Sequence, residues 1–188
     1  RNFIGLWGLH NLNSLMRLCT LLFLSFLAAI QAPAQGKLRE LLTGRPPEGF
    51  TERTWTVDGV KRTALVRGPA DPKTPAAVVF CWHGHGGNST QSVRGWDFDK
   101  ADPTSILIYP QGLPTVSPLV DKEGRHSGWQ SAVGAEGDRD IKFFDTVLAD
   151  LKKERAVDER RIYSMGHSNG AAFSYVLWQA RPDVLAAI

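Results

Sequence analysis

Residues 76–82, AAVVFCW, form a continuous apolar run closed by turn-forming residues on both sides, PADPKTP before it and HGHGGN after it. A run this short, with no polar face, reads as a strand covered on both sides. Two similar runs follow at residues 105–109 (SILIY, ending at Pro110) and residues 161–165 (RIYSM). Between them, Ile141, Phe144, Val147, Leu148 and Leu151 recur at helical spacing among charges, which predicts an amphipathic helix over residues 140–154. The residues NGAAFSYVLWQARP after Ser168 predict another helix, ending near Arg181-Pro182. Buried strands alternating with helices require an α/β fold with a mainly parallel sheet. RTWTVDGVKRTALVRG alternates about Asp58-Gly59 and adds an antiparallel hairpin at the sheet edge, residues 54–57 and 60–67. A turn is expected at Asp158. The Gly/Pro/Ser-rich residues 110–137 are too long for a plain connector, and loops of this length are commonly functional or mobile.

The start of the chain reads differently. Residues 18–30, LCTLLFLSFLAAI, carry no charge, follow Met16-Arg17 and lead to Ala32 and Ala34, an A-x-A-like site. A basic start, an apolar core and small residues at the end describe a secretory signal peptide cut before Gln35, with residues 1–15 upstream of a start at Met16. The apolar core falls well short of the roughly 20 residues that a membrane-spanning helix needs. Residues 1–34 are therefore expected to be a leader, and residues 35–188 an incomplete α/β domain, exported and without stable membrane association. The leader holds two arginines, Arg1 and Arg17, and no acid, so its removal takes the formal charge from +3 to +1. No basic patch remains to suggest a nucleic-acid partner. Of the 2 cysteines, Cys19 and Cys81, only Cys81 stays in the mature chain, which excludes a disulfide within it.

Chemistry concentrates at IYSMGHSNGAAF, residues 162–173, where Gly166-His-Ser168-Asn-Gly170 fits G-x-S-x-G. Between a buried strand and a helix, this pattern forms a sharp turn that lifts the serine hydroxyl above the sheet. Ser168 is thus the candidate nucleophile; the competing reading is an ordinary serine N-cap. The second element is HGHGG, residues 83–87, directly after the first buried strand. Acyl transfer passes through an oxyanion that needs preorganised N–H donors, and a glycine-rich loop exposes them. The N–H groups of His85, or a neighbour in the loop, and of Asn169 are the candidate donors. His83-x-His85 is not read as a metal pair, because the motif brings no carboxylate or third histidine; the His83 ring is expected to pack under the loop and hold it. Trp129 is read either as lining the substrate cleft or as a satellite core residue. Asp138 and Asp140 either brace the site or act as first-turn acids of the helix. No metal and no cofactor is implied.

HGHGGN, the loop containing Gly128-Trp129, DRDIKFFDTVLADL and VDERRIYSMGHSNGAAFSYVLWQARPDVLAAI together resemble the secreted polyhydroxybutyrate depolymerase, feruloyl esterase and acetyl xylan esterase group of the α/β-hydrolase superfamily. The resemblance spans residues 51–188, with Ala171 a mild departure where the group often has glycine. It implies Ser168 as nucleophile, oxyanion donors at Gly84-His85 and Asn169, and a polymeric or small ester as substrate. A serine peptidase of the same fold, and a non-catalytic relic, are the alternatives. In this superfamily the acid and the histidine follow the serine in sequence. After Ser168 the chain has one acid, Asp183, and no histidine; His10, His83, His85, His126 and His167 all precede the serine. Asp183 would sit about 20 Å from the elbow at roughly 1.5 Å rise per residue. The expectation is that DVLAAI begins a further strand and that the acid and base lie beyond Ile188.

Overall fold

The three apolar runs lie side by side in one five-stranded sheet. The computed structural model describes residues 46–188; the leader expected at residues 1–34 lies outside the described residues. In chain order the strands are β1 (Thr51–Val57), β2 (Val60–Arg67), β3 (Ala76–Trp82), β4 (Ile106–Pro110), the short β5 (Leu113–Pro114) and β6 (Ser127–Gly128), and β7 (Val157–Gly166). The helices are α1 (Ser89–Trp96), α2 (Phe98–Ala101), α3 (Arg139–Glu154) and α4 (Asn169–Ala180). The sheet order is β1-β2-β4-β3-β7. The Asp58-Gly59 hairpin joins through an antiparallel β2–β4 ladder, while β4, β3 and β7 run parallel.

β3 shows why its run has no polar face. Val78, Phe80 and Trp82 point into one core with Phe144 and Leu151 of α3 and Phe173 of α4. Val79 and Cys81, one residue out of step, point into a second core with Leu107, Tyr109 and Val93 of α1. The two-residue period of a strand thus meets helices on both faces. Among the described residues, no helix is long and apolar enough to cross a membrane.

Two features depart from the sequence-based expectation. α1 was not anticipated, although Asn88 caps it by accepting from Gln91 N–H at 2.8 Å, an Asn-x-x-Gln pattern typical of helix starts. The turn expected at Asp158 is instead an irregularity inside β7: Ala76 pairs with Val157 but Val78 with Ile162. There the Asp158 carboxylate accepts from Arg161 Nε at 2.8 Å and Arg160 N–H at 3.1 Å, so the local turn chemistry is real but absorbed by the strand. Residues 110–137 are ordered by the β5–β6 ladder, a Ser117–Asp121 bridge and a 3₁₀ turn at Ala135–Asp138. On the far side of β7, Ala187 bridges Tyr163 in parallel, and Ala186 N–H donates to Ile162 O at 2.8 Å, as the DVLAAI pattern predicts.

Candidate active site

The turn from β7 into α4 is built on two close approaches. A Cβ on Gly166 would lie 2.2 Å from the carbonyl carbon of Gly170, and one on Gly170 would lie 2.2 Å from the carbonyl oxygen of Trp82. Any side chain at either position would strike backbone, which is why the pattern needs glycine at both ends. Between them Ser168 adopts φ 52° and ψ −119°, a conformation that L-residues avoid and that costs of order 1–3 kcal/mol. His167 N–H donates to Trp82 O at 3.1 Å and Gly170 N–H to His167 O at 2.9 Å, fixing the turn against the end of β3. Below it, Trp82 Nε1 donates to Ser164 Oγ at 2.9 Å, and Ser164 and Ser174 share a buried hydroxyl bond of 2.9 Å. Ser168 is exposed and sits at the N-cap position of α4, but its side chain makes no cap bond to the helix. The other soft nucleophile, Cys81, is fully buried, and burial pushes its thiol up to about 12.

The glycine loop lies against this serine. A Cβ on Gly84 would be 3.5 Å from Ser168 Cβ and 3.0 Å from His167 Nδ1. Gly86 N–H is used by Ser127 O at 2.8 Å and Gly87 N–H by Gly84 O at 2.9 Å, whereas among the described residues the N–H of His85 has no backbone acceptor. His83 is buried beneath the loop. Gly112 N–H donates to its Nε2 at 3.0 Å, so the ring proton sits on Nδ1 and donates to Gly84 O at 2.8 Å. Burial lowers its pKa below the ordinary value, which keeps the ring neutral. A cleft of about 250 Å³ opens beside the serine, lined by Gly84, His85, Gln91, Trp96 and His167 among others.

Trp129 requires a correction. It is 0% exposed, lies in the core edge-on to Trp82 at 4.8 Å and stacked on Phe173 at 5.8 Å, and so does not line a cleft. Its place in the site is structural: Nε1 donates to His83 O at 2.8 Å. The Asn169 side chain holds the Trp129 backbone from both sides, accepting its N–H at 2.8 Å and donating to its carbonyl at 3.2 Å. Asp140 also does more than favour a helix start. Fully buried, it accepts from Arg62 Nη2 at 2.7 Å and from Gln130 N–H at 2.8 Å, while Gln130 Oε1 accepts Asp140 N–H at 3.0 Å. Asp138 accepts from Gly134 N–H at 2.7 Å and Gln130 Nε2 at 2.9 Å, bonds that lower its pKa.

Sequence reasoning missed Asp121. This buried carboxylate accepts from His126 N–H at 2.8 Å and lies 3.1 Å from both His85 Nε2 and His126 Nδ1. Those bonds, the His126 N–H first, hold its pKa well below the usual carboxylate range. The ring of His85 therefore faces Asp121 and His126, away from His83, whose bonds run to Gly84 and Gly112.

No family model matches the chain. It is 25% identical to a probable feruloyl esterase C of Aspergillus niger over 90% of its own length and 57% of the relative's. It is 26% identical to feruloyl esterase C of Emericella nidulans over 63% of its own length and 40% of the relative's, so it spans about half the length of the curated relatives it matches. Among solved structures, a CE1 ferulic acid esterase of Anaeromyces mucronatus superposes with a TM-score of 0.53 at 16% identity, covering 75% of this chain and 58% of that one. A thermostable esterase superposes with a TM-score of 0.53 at 17% identity, covering 74% and 40%. A sheet of parallel central strands and the elbow between β7 and α4 give the chain an α/β-hydrolase-like fold, and in sequence it is similar to feruloyl esterases.

Proposed function

We propose that the protein is a secreted serine esterase that cleaves carboxylic esters, with feruloyl esters of plant polymers as its leading substrate class and acetyl and hydroxyalkanoate esters as the neighbouring ones. The observation that carries this reading is Ser168: exposed, held at φ 52° and facing a glycine loop that presents the N–H of His85. In the proposed reaction Ser168 Oγ attacks the ester carbonyl carbon and passes its proton to a base. The carbonyl oxygen becomes an oxyanion that accepts from the N–H of His85 and of Asn169, at the positive end of α4. Collapse breaks the ester C–O bond and releases the alcohol, and water then cleaves the acyl-enzyme. Among the described residues no histidine makes a hydrogen bond to Ser168 Oγ. Export rests on the apolar segment at residues 18–30 and the Ala32-x-Ala34 site.

The test is hydrolysis by the full-length protein of a panel of feruloyl, acetyl and short hydroxyalkanoate esters alongside peptide anilides. Feruloyl esters should turn over fastest, and Ser168→Ala should lower kcat by about 10³-fold or more. Turnover that survives Ser168→Ala would remove the serine from the mechanism. Preference for anilides would make the protein a peptidase.

A further inference from the structure

The geometry points to a divalent transition-metal site, best suited to Zn²⁺, formed by His85 Nε2, Asp121 Oδ2 and His126 Nδ1. It is distinct from the serine chemistry and does not depend on it. The three ligand atoms come from two loops and lie within 4.8 Å of one another, with 3.1 Å from the Asp121 oxygen to each ring nitrogen. Bonds of roughly 2.0–2.1 Å in a tetrahedral site place ligand atoms about 3.3 Å apart, so small side-chain movements bring all three to the ion. Two imidazoles and one carboxylate favour zinc and its neighbours; calcium and magnesium prefer all-oxygen sets.

The surroundings suit an ion as well as the donors do. The His126 side chain is 66% exposed, so it is free to turn toward the metal and leaves a fourth position to water. The other two ligands are already held. Asp121 is 9% exposed and bridges Ser117, and the ring of His85 is largely buried beside Gly128. His85 Nδ1 is buried without a partner while Nε2 faces Asp121. Coordination through Nε2 requires the ring proton to sit on Nδ1. It places an N–H at Nδ1, on the side of Gly128 where Asn169 Oδ1 also lies. The bound ion would clamp the glycine loop to residues 112–128, adding to the Gly86–Ser127 backbone bond, Ser127 Oγ donating to Gly87 O at 2.6 Å and Gly112 N–H donating to His83 Nε2 at 3.0 Å.

The measurement is calorimetric titration of untagged, chelator-treated full-length protein with Zn²⁺, repeated with His126→Ala and, as a control, His167→Ala. His126 is exposed, so its removal does not threaten the fold. The expected result is one saturable site whose affinity falls about 100-fold or more in His126→Ala and is unchanged in His167→Ala. Zinc should raise the melting temperature of the parent but not of His126→Ala, and Co²⁺ should give the visible bands of a tetrahedral ion. Zinc binding of equal strength in His126→Ala, or no saturable binding by the parent, would overturn the assignment.

Discussion

The elbow at Gly166–Gly170 and the loop at residues 111–137 meet at the same site, yet they are held by opposite means. The elbow is fixed by its own backbone: two glycines pressed against carbonyl groups, a serine at φ 52°, and hydrogen bonds to the end of β3. The loop has its own short β5–β6 ladder, but most of what fastens it to the rest of the molecule is side chains from elsewhere. Asn169 grips Trp129, Asp140 and Arg62 secure Gln130, and the imidazole of His83 accepts from Gly112. The candidate nucleophile is thus placed by rigid local geometry, while the wall beside it is placed largely by replaceable contacts. Changes to the wall should alter the protein gradually, and changes to the elbow should not.

The most direct way to break that contrast is Gly170→Ala. A methyl placed 2.2 Å from Trp82 O and 2.6 Å from His83 O must push the helix off the strand. The loss should be about 4 kcal/mol or more in denaturant unfolding. Asp140→Ala comes next: it leaves the guanidinium of Arg62, 1% exposed, without its partner and frees Gln130 N–H, for a loss of about 3 kcal/mol. Asn169→Ala should cost about 2 kcal/mol, because it strands the buried Trp129 N–H, while leaving the elbow and its serine in place. A loss in Asn169→Ala equal to that of Gly170→Ala would erase the distinction between backbone and side-chain control.

The smallest effect is a pH dependence. Burial holds the folded-state pKa of His83 below its ordinary 6.5. The unfolded chain therefore takes up a proton that the folded protein refuses. This stability is fully present above about pH 6.5 and is lost as pH falls below that value, at no more than about 1.4 kcal/mol per pH unit. Comparing thermal unfolding of the parent and His83→Gln across acidic pH isolates it. Parallel curves would show that His83 charges as readily folded as unfolded.

The same contrast explains what could be read from the letters. Gly166, Ser168 and Gly170 lie within five residues, and their order after an apolar strand and before a helix carries most of the geometry. β3, the hairpin at Asp58-Gly59 and α3 were legible for the same reason, since their periods are local. Trp129 was ambiguous because an exposed and a buried tryptophan look alike until Trp82 and Phe173, 47 and 44 residues away, pack against it. Asp121 was missed because its meaning comes from His85, 36 residues upstream. Asn88 was a missed signal of another kind: its cap pattern was present, but the helix it starts has a weakly apolar sequence.

The pair Trp82-His83 at the end of β3 has one further consequence. Its two successive carbonyls receive the elbow, through His167 N–H, and the long loop, through Trp129 Nε1, and the His83 ring receives Gly112 N–H. No one of these segments can let go without exposing the anchor shared with the others. The amides of Gly112 and His167, 55 residues apart, should therefore exchange their hydrogens with solvent at a common rate, opening as one unit.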